Sequence, residues 1–378
     1  MPLDYETLRV IWWVLLGVLL IGFAIMDGFD FGVLMWLPWL GKTDMERRIL
    51  INSIGPTWEG NQVWFVLGGG AIFAAWPALY ALSFSGFYLA MLIILLALIV
   101  RPVGIKYRSK LSNPAWRSSW DFALFISGFV PPLLFGVAIG NVLQGVPFHF
   151  DSFLRPFYTG TFLELLNPFA LLCGVLSVIM LAMHGAFFLN LKMTDSLQKR
   201  AIKAARVSAC AVIVLFALGG VWIFYGIDGY QLNSVLPHDG PSNPLQKLVI
   251  QEIGAWFFNY HLMPVTRLLP VMGLASALLA LFTARWASLA FFSSALCVFG
   301  IIGTVGVSMF PFILPSSSHP EQSLLVWDSS SSQLTLFIML IATVVFLPII
   351  LAYTAWVYRV LRGKVTLETV KNNQDVAY

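Results

Sequence analysis

The 378-residue sequence predicts an all-α integral membrane protein. Three observations carry this. Hydrophobic residues make up 59% of the chain and charged residues only 11%, where a soluble domain is about a quarter charged. Mean hydropathy is +0.83, more apolar surface than a water-soluble core hides, so the solvent is lipid. The apolar residues also fall into runs long enough to cross a bilayer, with basic residues gathered between alternate runs.

A helix needs about 20 mostly apolar residues to cross roughly 30 Å of hydrocarbon. About nine segments qualify: 10–35, 61–78, 80–103, 121–143, 166–190, 206–226, 267–284, 287–312 and 334–358. The first follows acidic Asp4 and Glu6 and has no small-residue cleavage site after it. It is expected to stay as a span, not to act as a cleaved signal. The second contains "GGG" at 68–70, which lowers helix propensity and is expected to allow close helix packing. A re-entrant or surface segment is the competing reading there. The connections 144–165, 227–266 and 313–333 are too short for a second domain, so residues 1–378 are expected to form one membrane domain, organised as two helical bundles of similar size. Tryptophans near the span ends form an ordinary aromatic belt.

Charge sets the orientation. With the N-terminus outside and the C-terminus cytoplasmic, the inner segments hold Lys42, Arg47 and Arg48; Arg101, Lys106, Arg108, Lys110 and Arg117; Lys192, Lys199, Arg200, Lys203 and Arg206; Arg285; and Arg359, Arg362, Lys364 and Lys371. Of the 22 basic residues, this leaves only Arg9, Arg155, Lys247 and Arg267 outside, as the positive-inside rule requires. An eight-span arrangement, with the second segment not crossing, puts 42–48 outside and fits less well.

The informative residues are charges inside this apolar frame. "AIMDGFDFGVL" at 24–34 carries Asp27 and Asp30 within the first span. At ~1.5 Å per residue they lie ~22 Å and ~27 Å beyond the tryptophans at 12 and 13, in the inner third of the membrane. Their i,i+3 spacing puts both on one helix face. Glu59 in "TWEGNQVW", Arg101 in "LIVRPVG" and Asp121 at the start of the fourth span reach the same depth. A lipid-exposed charge costs about 2.5–3.5 kcal/mol at mid-membrane. The five are therefore expected to face the bundle interior and share partners in a polar pocket open to the cytoplasm. Carboxylates beside an arginine can pass protons, since each titrates and hydrogen-bonds in both states. The competing reading is that they cap or pin helix ends, which suits Asp121 best; for Arg101 it is snorkelling to the inner surface.

Other chemistry is poorly supported. Cys173, Cys210 and Cys297 sit in apolar runs without a CxxC and read as small hydrophobes. Haem needs facing axial ligands, yet His184 in "LAMHGAFF" is the one histidine within a predicted span; it reads as a packed or hydrogen-bonded residue, which argues against a haem held by this chain alone. No P-loop, GxSxG or dinucleotide fingerprint occurs, and the basic inner loops are topology signals with no nucleic-acid reading. Without further information a proton-coupled transporter fits some of these facts, although transporters place their charges at the midplane. A purely structural scaffold is a third reading.

Long stretches of the chain resemble subunit II of the bacterial cytochrome bd-type quinol oxidases. They include "DGFDFG" (27–32), "ERRILINSIGPTWEGNQVWFVLGGGAIFAAWP" (46–77), "FSGFYLAM" (84–91), "RPVG" (101–104), "FVPPLLFGVAIGNVLQGVPF" (129–148), "LLNPFALLCGV" (165–175), "YGIDGY" (225–230), "GAWFFN" (254–259), "MFPFILPSS" (309–317) and "WDSSSSQLTL" (327–336). The resemblance implies nine helices in two four-helix bundles plus one peripheral helix, in the bacterial inner membrane. It implies an enzyme that oxidises quinol, reduces dioxygen to water and builds a proton-motive force. Haem b and haem d would lie in the partner, subunit I, in an obligate heterodimer. This chain would hold no haem and would support assembly and haem content; some members carry a structural quinone or a small single-span accessory subunit. By motif, the family's proton route corresponds to Asp27, Asp30, Glu59 and Arg101.

Overall fold

The computed structural model describes residues 2–245, 247–366 and 368. Lys371, counted above on the inner side, lies outside the described residues. Helices α1 (Tyr5–Met26), α2 (Gly28–Leu40), α3 (Asp44–Ile54), α4 (Trp58–Ala75), α5 (Pro77–Gly86), α6 (Tyr88–Tyr107) and α7 (Pro114–Gln144) lead to α8 (Pro168–Lys192) and α9 (Asp195–Gly226). They are followed by a short α10 (Phe258–Leu262), then α11 (Leu268–Phe282), α12 (Ala287–Met309) and α13 (Gln333–Val360). Local chemistry explains many of the starts. Asp4, Asn113, Asn167 and Ser332 accept backbone N–H groups of the first turns they precede, and Thr43 with Glu46 forms a capping box on α3.

Among the described residues, eight helical segments are long and apolar enough to cross a membrane, α1 and α2 counting as one. The second predicted span, α4, is the helix that falls outside this set. Glu59, Asn61 and Gln62 make its first turns polar, yet it is helical through the three glycines. Unpaired backbone groups are costly in lipid, and this outweighs glycine's weak propensity. The glycines do not serve helix packing as expected: Gly68 only reaches Leu20, and nothing lies within 4 Å of a side chain built at Gly69 or Gly70.

Other boundaries differ too. The first predicted span is broken at Asp27. The third begins at Tyr88 and not at 80, because Pro77–Gly86 forms a separate helix against the hairpin that carries Tyr158, which Gly86 touches. Helix α9 starts eleven residues before the expected 206, at Asp195, because its first turns are amphipathic: Leu197, Ala201 and Ala205 are buried while basic residues face out. On α9, Cys210 faces outward rather than into the core.

Packing sorts the helices into two groups. The α1–α2 segment lies with α4, α6 and α7; α8, α9, α11 and α12 form the other. Helix α13 touches α1 and α4 and is peripheral, with only 6% of its most apolar stretch buried. The groups meet along α7 against α8 and where α2 crosses α8. At the α2–α8 crossing the backbones of Gly32 and Gly185 touch, and a Cβ on Gly185 falls 2.5 Å from the Gly32 Cα, a small-residue crossing of the kind membrane helices use.

The long connections cover one end. Each carries a two-stranded antiparallel sheet: β1 (Phe148–Phe150) with β2 (Pro156–Tyr158), β3 (Asp228–Leu232) with β4 (Val249–Ile253), and β5 (Phe312–Leu314) with β6 (Leu324–Leu325). Arg9 ties this end together, donating to Ser330 Oγ (2.8 Å), His238 O (2.5 Å) and Gly240 O (3.0 Å). Lys247 and Asp328 form a buried ion pair at 2.6 Å. The helix-terminal ends of α4 and α13 meet here as well: Ser331 N donates to Ala75 O (2.8 Å), and the Tyr5 hydroxyl to Ser331 O (2.6 Å).

Candidate functional site: a dry carboxylate–arginine cluster

The break between α1 and α2 places the first acidic residue. Asp27 caps α1, and its own carbonyl accepts from Phe31 N (3.1 Å), so α2 restarts almost in line. Asp30, one turn on, therefore shares a face with Asp27. Opposite them Arg101 projects from α6. Its Nη2 donates to Asp27 Oδ1 (2.6 Å) and its Nη1 to Asp27 Oδ2 (3.1 Å). This is the paired geometry that a planar guanidinium offers a carboxylate. Nη2 also lies 3.5 Å from Asp30 Oδ2. All three residues are 0% exposed, so Arg101 does not snorkel.

A second ring of groups encloses the cluster. Asn61, on the second turn of α4, donates from Nδ2 to Asp30 Oδ2 (2.7 Å) and accepts the Tyr358 hydroxyl of α13 at Oδ1 (2.7 Å). The Phe31 and Trp58 rings cover the guanidinium, their centroids 4.8 and 5.5 Å from its carbon. Among the described residues, nothing hydrogen-bonds Asp30 Oδ1, Arg101 Nε or Trp58 Nε1. Two carboxylates facing one guanidinium carry an excess negative charge when all are ionised. In a dry site the arrangement is neutral only when one carboxyl holds a proton. Chemically, it is a place that can take up and give back a single proton.

The five residues expected in one open pocket are distributed differently. Asp27, Asp30 and Arg101 come together, but their pocket is closed by aromatic rings. Glu59 faces outward: its side chain is 66% exposed and lies 3.7 Å from Lys106. The reason is helical geometry. Residues two apart on a helix point to nearly opposite sides, and Asn61 takes the inward position. Asp121 belongs to a second cluster that pins helix ends. It pairs with Arg108 through a very short contact and a second at 3.0 Å, and with Arg47 at 2.7 Å. Asp44 joins Arg108 (2.9 Å) and Arg117 (2.7 Å) there, so the starts of α3 and α7 and the end of α6 are stapled together. Sequence reading missed Asn61 and Tyr358 and named no partners for Asp121, although helix pinning was the reading that suited it best. Asn61 was discoverable from its spacing to Glu59; Tyr358, 297 residues from Asn61, left no local signal.

His184 is packed and hydrogen-bonded. Its Nε2 lies 3.0 Å from Ile25 O and its Nδ1 2.8 Å from Ser294 Oγ, with the ring stacked on Phe291. It holds α8 and α12 against the end of α1, next to the break that presents Asp27.

Fold and site together define a multi-pass helical membrane protein that keeps an arginine and two carboxylates out of water at one end of its first bundle. Residues 8–361 match the family described as cytochrome bd terminal oxidase subunit II, and the chain belongs to that family. It is 54% identical over 378 residues to the probable cytochrome oxidase subunit 2 of Haemophilus influenzae, covering both chains fully. It is 52% identical, again over both whole chains, to the cytochrome bd-I ubiquinol oxidase subunit 2 of Escherichia coli K12. Identity to the cytochrome bd ubiquinol oxidase subunit 2 of Bacillus subtilis is 32%, over 95% of this chain and 97% of the other. The fold matches a chain of the bd oxidase from Geobacillus thermodenitrificans with a TM-score of 0.65 at 15% identity, covering 94% of this chain and 98% of that one. The chain is thus a subunit of a haem-containing oxidoreductase complex with a subunit I as partner, and a multi-pass protein of the bacterial inner membrane.

Proposed function

We propose that this subunit supplies the cytoplasmic proton-entry path of a quinol oxidase that reduces dioxygen to water. In this reading Asp27 and Asp30, held on Arg101, take up a proton from the inner side and release it towards the oxygen-reducing haem of subunit I. Glu59, exposed at the start of α4 beside Lys106, stands at the mouth. The observation that carries the proposal is the charge count of the cluster: two fully buried carboxylates share one guanidinium. One aspartate suffices to pair the arginine, and the second adds a titratable group to the cluster.

The orientation proposed is N-terminus outside and C-terminus cytoplasmic, with α4 as a ninth crossing. Two facts support it. Helix α4 runs antiparallel to α1 along its length, from Asn61 beside Asp30 to Ala75 at Ser331 near Tyr5. Helix α13 runs from that same end, at Ser332, to Tyr358 beside the cluster. Haem b and haem d are assigned to subunit I and none to this chain; both ring nitrogens of His184 are already engaged. Support of assembly and of haem content in subunit I completes the role. The scaffold reading suits one place, the Asp121 staple, whose arginines pair with the carboxylates of Asp121 and Asp44.

The experiment is steady-state dioxygen consumption by the purified complex carrying Asp27→Asn or Asp30→Asn, beside its haem spectrum. The proposal expects slowed turnover with haem content intact. Normal turnover in both variants rejects it, and loss of haem in both returns the cluster to scaffolding.

A further inference from the structure

Helix α13 is the least buried of the long helices, yet its last turns reach the cluster. Tyr358 packs edge-on against Phe29, with centroids 6.5 Å apart, and Phe29 stacks on Phe188 of α8 at 4.1 Å. Just beyond, the chain is clamped to α8: Lys192 Nζ donates to Leu361 O (2.5 Å), and Val365 N donates to Lys192 O (3.0 Å). The phenol is therefore fixed in place, and its hydroxyl meets Asn61 Oδ1 at 2.7 Å.

A primary amide has one acceptor end and one donor end of nearly the same shape. An acceptor such as the Asp30 carboxylate selects the donor end, and how firmly that end is held depends on what anchors the other. The Asp30 carboxylate takes the donor end, Nδ2–H at 2.7 Å, and the Tyr358 hydroxyl anchors the amide from its far side by donating to Oδ1. In the reverse orientation an amide oxygen would oppose the carboxylate. Asp30 has a weaker hold on Arg101 than Asp27 has, 3.5 Å against 2.6 and 3.1 Å, so the amide is its main fixed partner.

We propose that Tyr358 is a positioning residue for the Asp27–Asp30–Arg101 site, acting through Asn61 to orient the Asp30 carboxylate. This rests on the proton-entry reading above. It gives α13 a role that its small buried area does not explain.

The test uses the whole purified complex with Tyr358→Phe, which keeps the ring on Phe29 and removes only the hydroxyl. A neutral hydrogen bond contributes ~0.5–1.5 kcal/mol net, so turnover is expected to fall roughly two- to tenfold. The KM for quinol and the haem absorbance should be unchanged, and the solvent deuterium isotope effect on turnover should rise. In an Asn61→Leu background the same substitution should have no further effect. Wild-type turnover in Tyr358→Phe, with Asp30→Asn inactive, overturns this role while the proton-entry reading stands. Wild-type turnover in Tyr358→Phe, Asp30→Asn and Asp27→Asn removes both. Loss of haem in Tyr358→Phe, or an undiminished effect in the Asn61→Leu background, also overturns it, because the phenol would then be acting structurally or independently of the amide.

Discussion

Arg101→Leu is the perturbation whose size follows most directly from the geometry. The guanidinium makes two hydrogen bonds to Asp27 and lies 3.5 Å from Asp30, and all three side chains are fully buried. Leucine keeps part of the packing against Phe31 and Trp58 but leaves two carboxylates buried without a counter-charge. Removing one partner of a buried ion pair costs about 3–5 kcal/mol, a large share of the ~5–15 kcal/mol that holds a protein folded. Arg101→Leu is therefore expected to assemble poorly or to lose its haem absorbance at a clearly lower temperature. Adding Asp27→Asn removes one of the stranded charges and should recover part of the loss. The assay is the thermal decay of the haem spectrum in the purified complex, with gel filtration to follow dissociation. An Arg101→Leu complex that melts with the wild type, or a double variant worse than the single, would refute the electrostatic account of the cluster.

Further expectations concern other parts of the fold. Burial pushes the Asp328 carboxyl above its ordinary value and the Lys247 ammonium below its own, while their mutual attraction opposes both. Lys247→Met should cost about 3–5 kcal/mol, and Lys247→Met with Asp328→Leu much less. An acid whose folded pKa is raised is stabilising below its unfolded value, and that gain fades as pH rises through the folded value. The single variant should accordingly melt closer to wild type in acid than at neutral pH, as thermal decay at two pH values would show. Gly32→Ala places a methyl 2.7 Å from the Gly185 Cα and should cost about 1–3 kcal/mol, seen as a lower yield of assembled complex. Glu59→Gln, at an exposed side chain, should change stability by less than about 0.5 kcal/mol yet slow turnover, and less than Asp30→Asn does.

Much of this architecture was legible because lipid enforces simple rules. Apolar run length gives helices, and basic residues mark one side. The i,i+3 spacing of Asp27 and Asp30 placed both on Arg101, the one basic residue set deep in an apolar run on a neighbouring helix. The failures share a cause: depth was read without direction. Glu59 lies at suitable depth, but a helix turns about 100° per residue, so it faces away when Asn61 faces in; Asp121 pins helix ends, the reading that suited it best, with partners the sequence did not name. Asp121 meets arginines from α3 and α6 whose approach depends on how helix ends fold over. The amphipathic α3, whose Ile49, Leu50, Ile51 and Ile54 are buried, was hidden among inner-loop charges. The loop hairpins were hidden because residue pairs such as Asp228 with Ile253 close long loops without local periodicity.

The central claim is that a proton bound for dioxygen reduction passes through the Asp27–Asp30–Arg101 cluster. Mixing the fully reduced complex with dioxygen, with a pH-sensitive dye on the cytoplasmic side, follows that uptake directly. In Asp30→Asn the uptake should lag well behind wild type although the haem is fully loaded. Uptake at the wild-type rate in Asp30→Asn and in Asp27→Asn would contradict the claim.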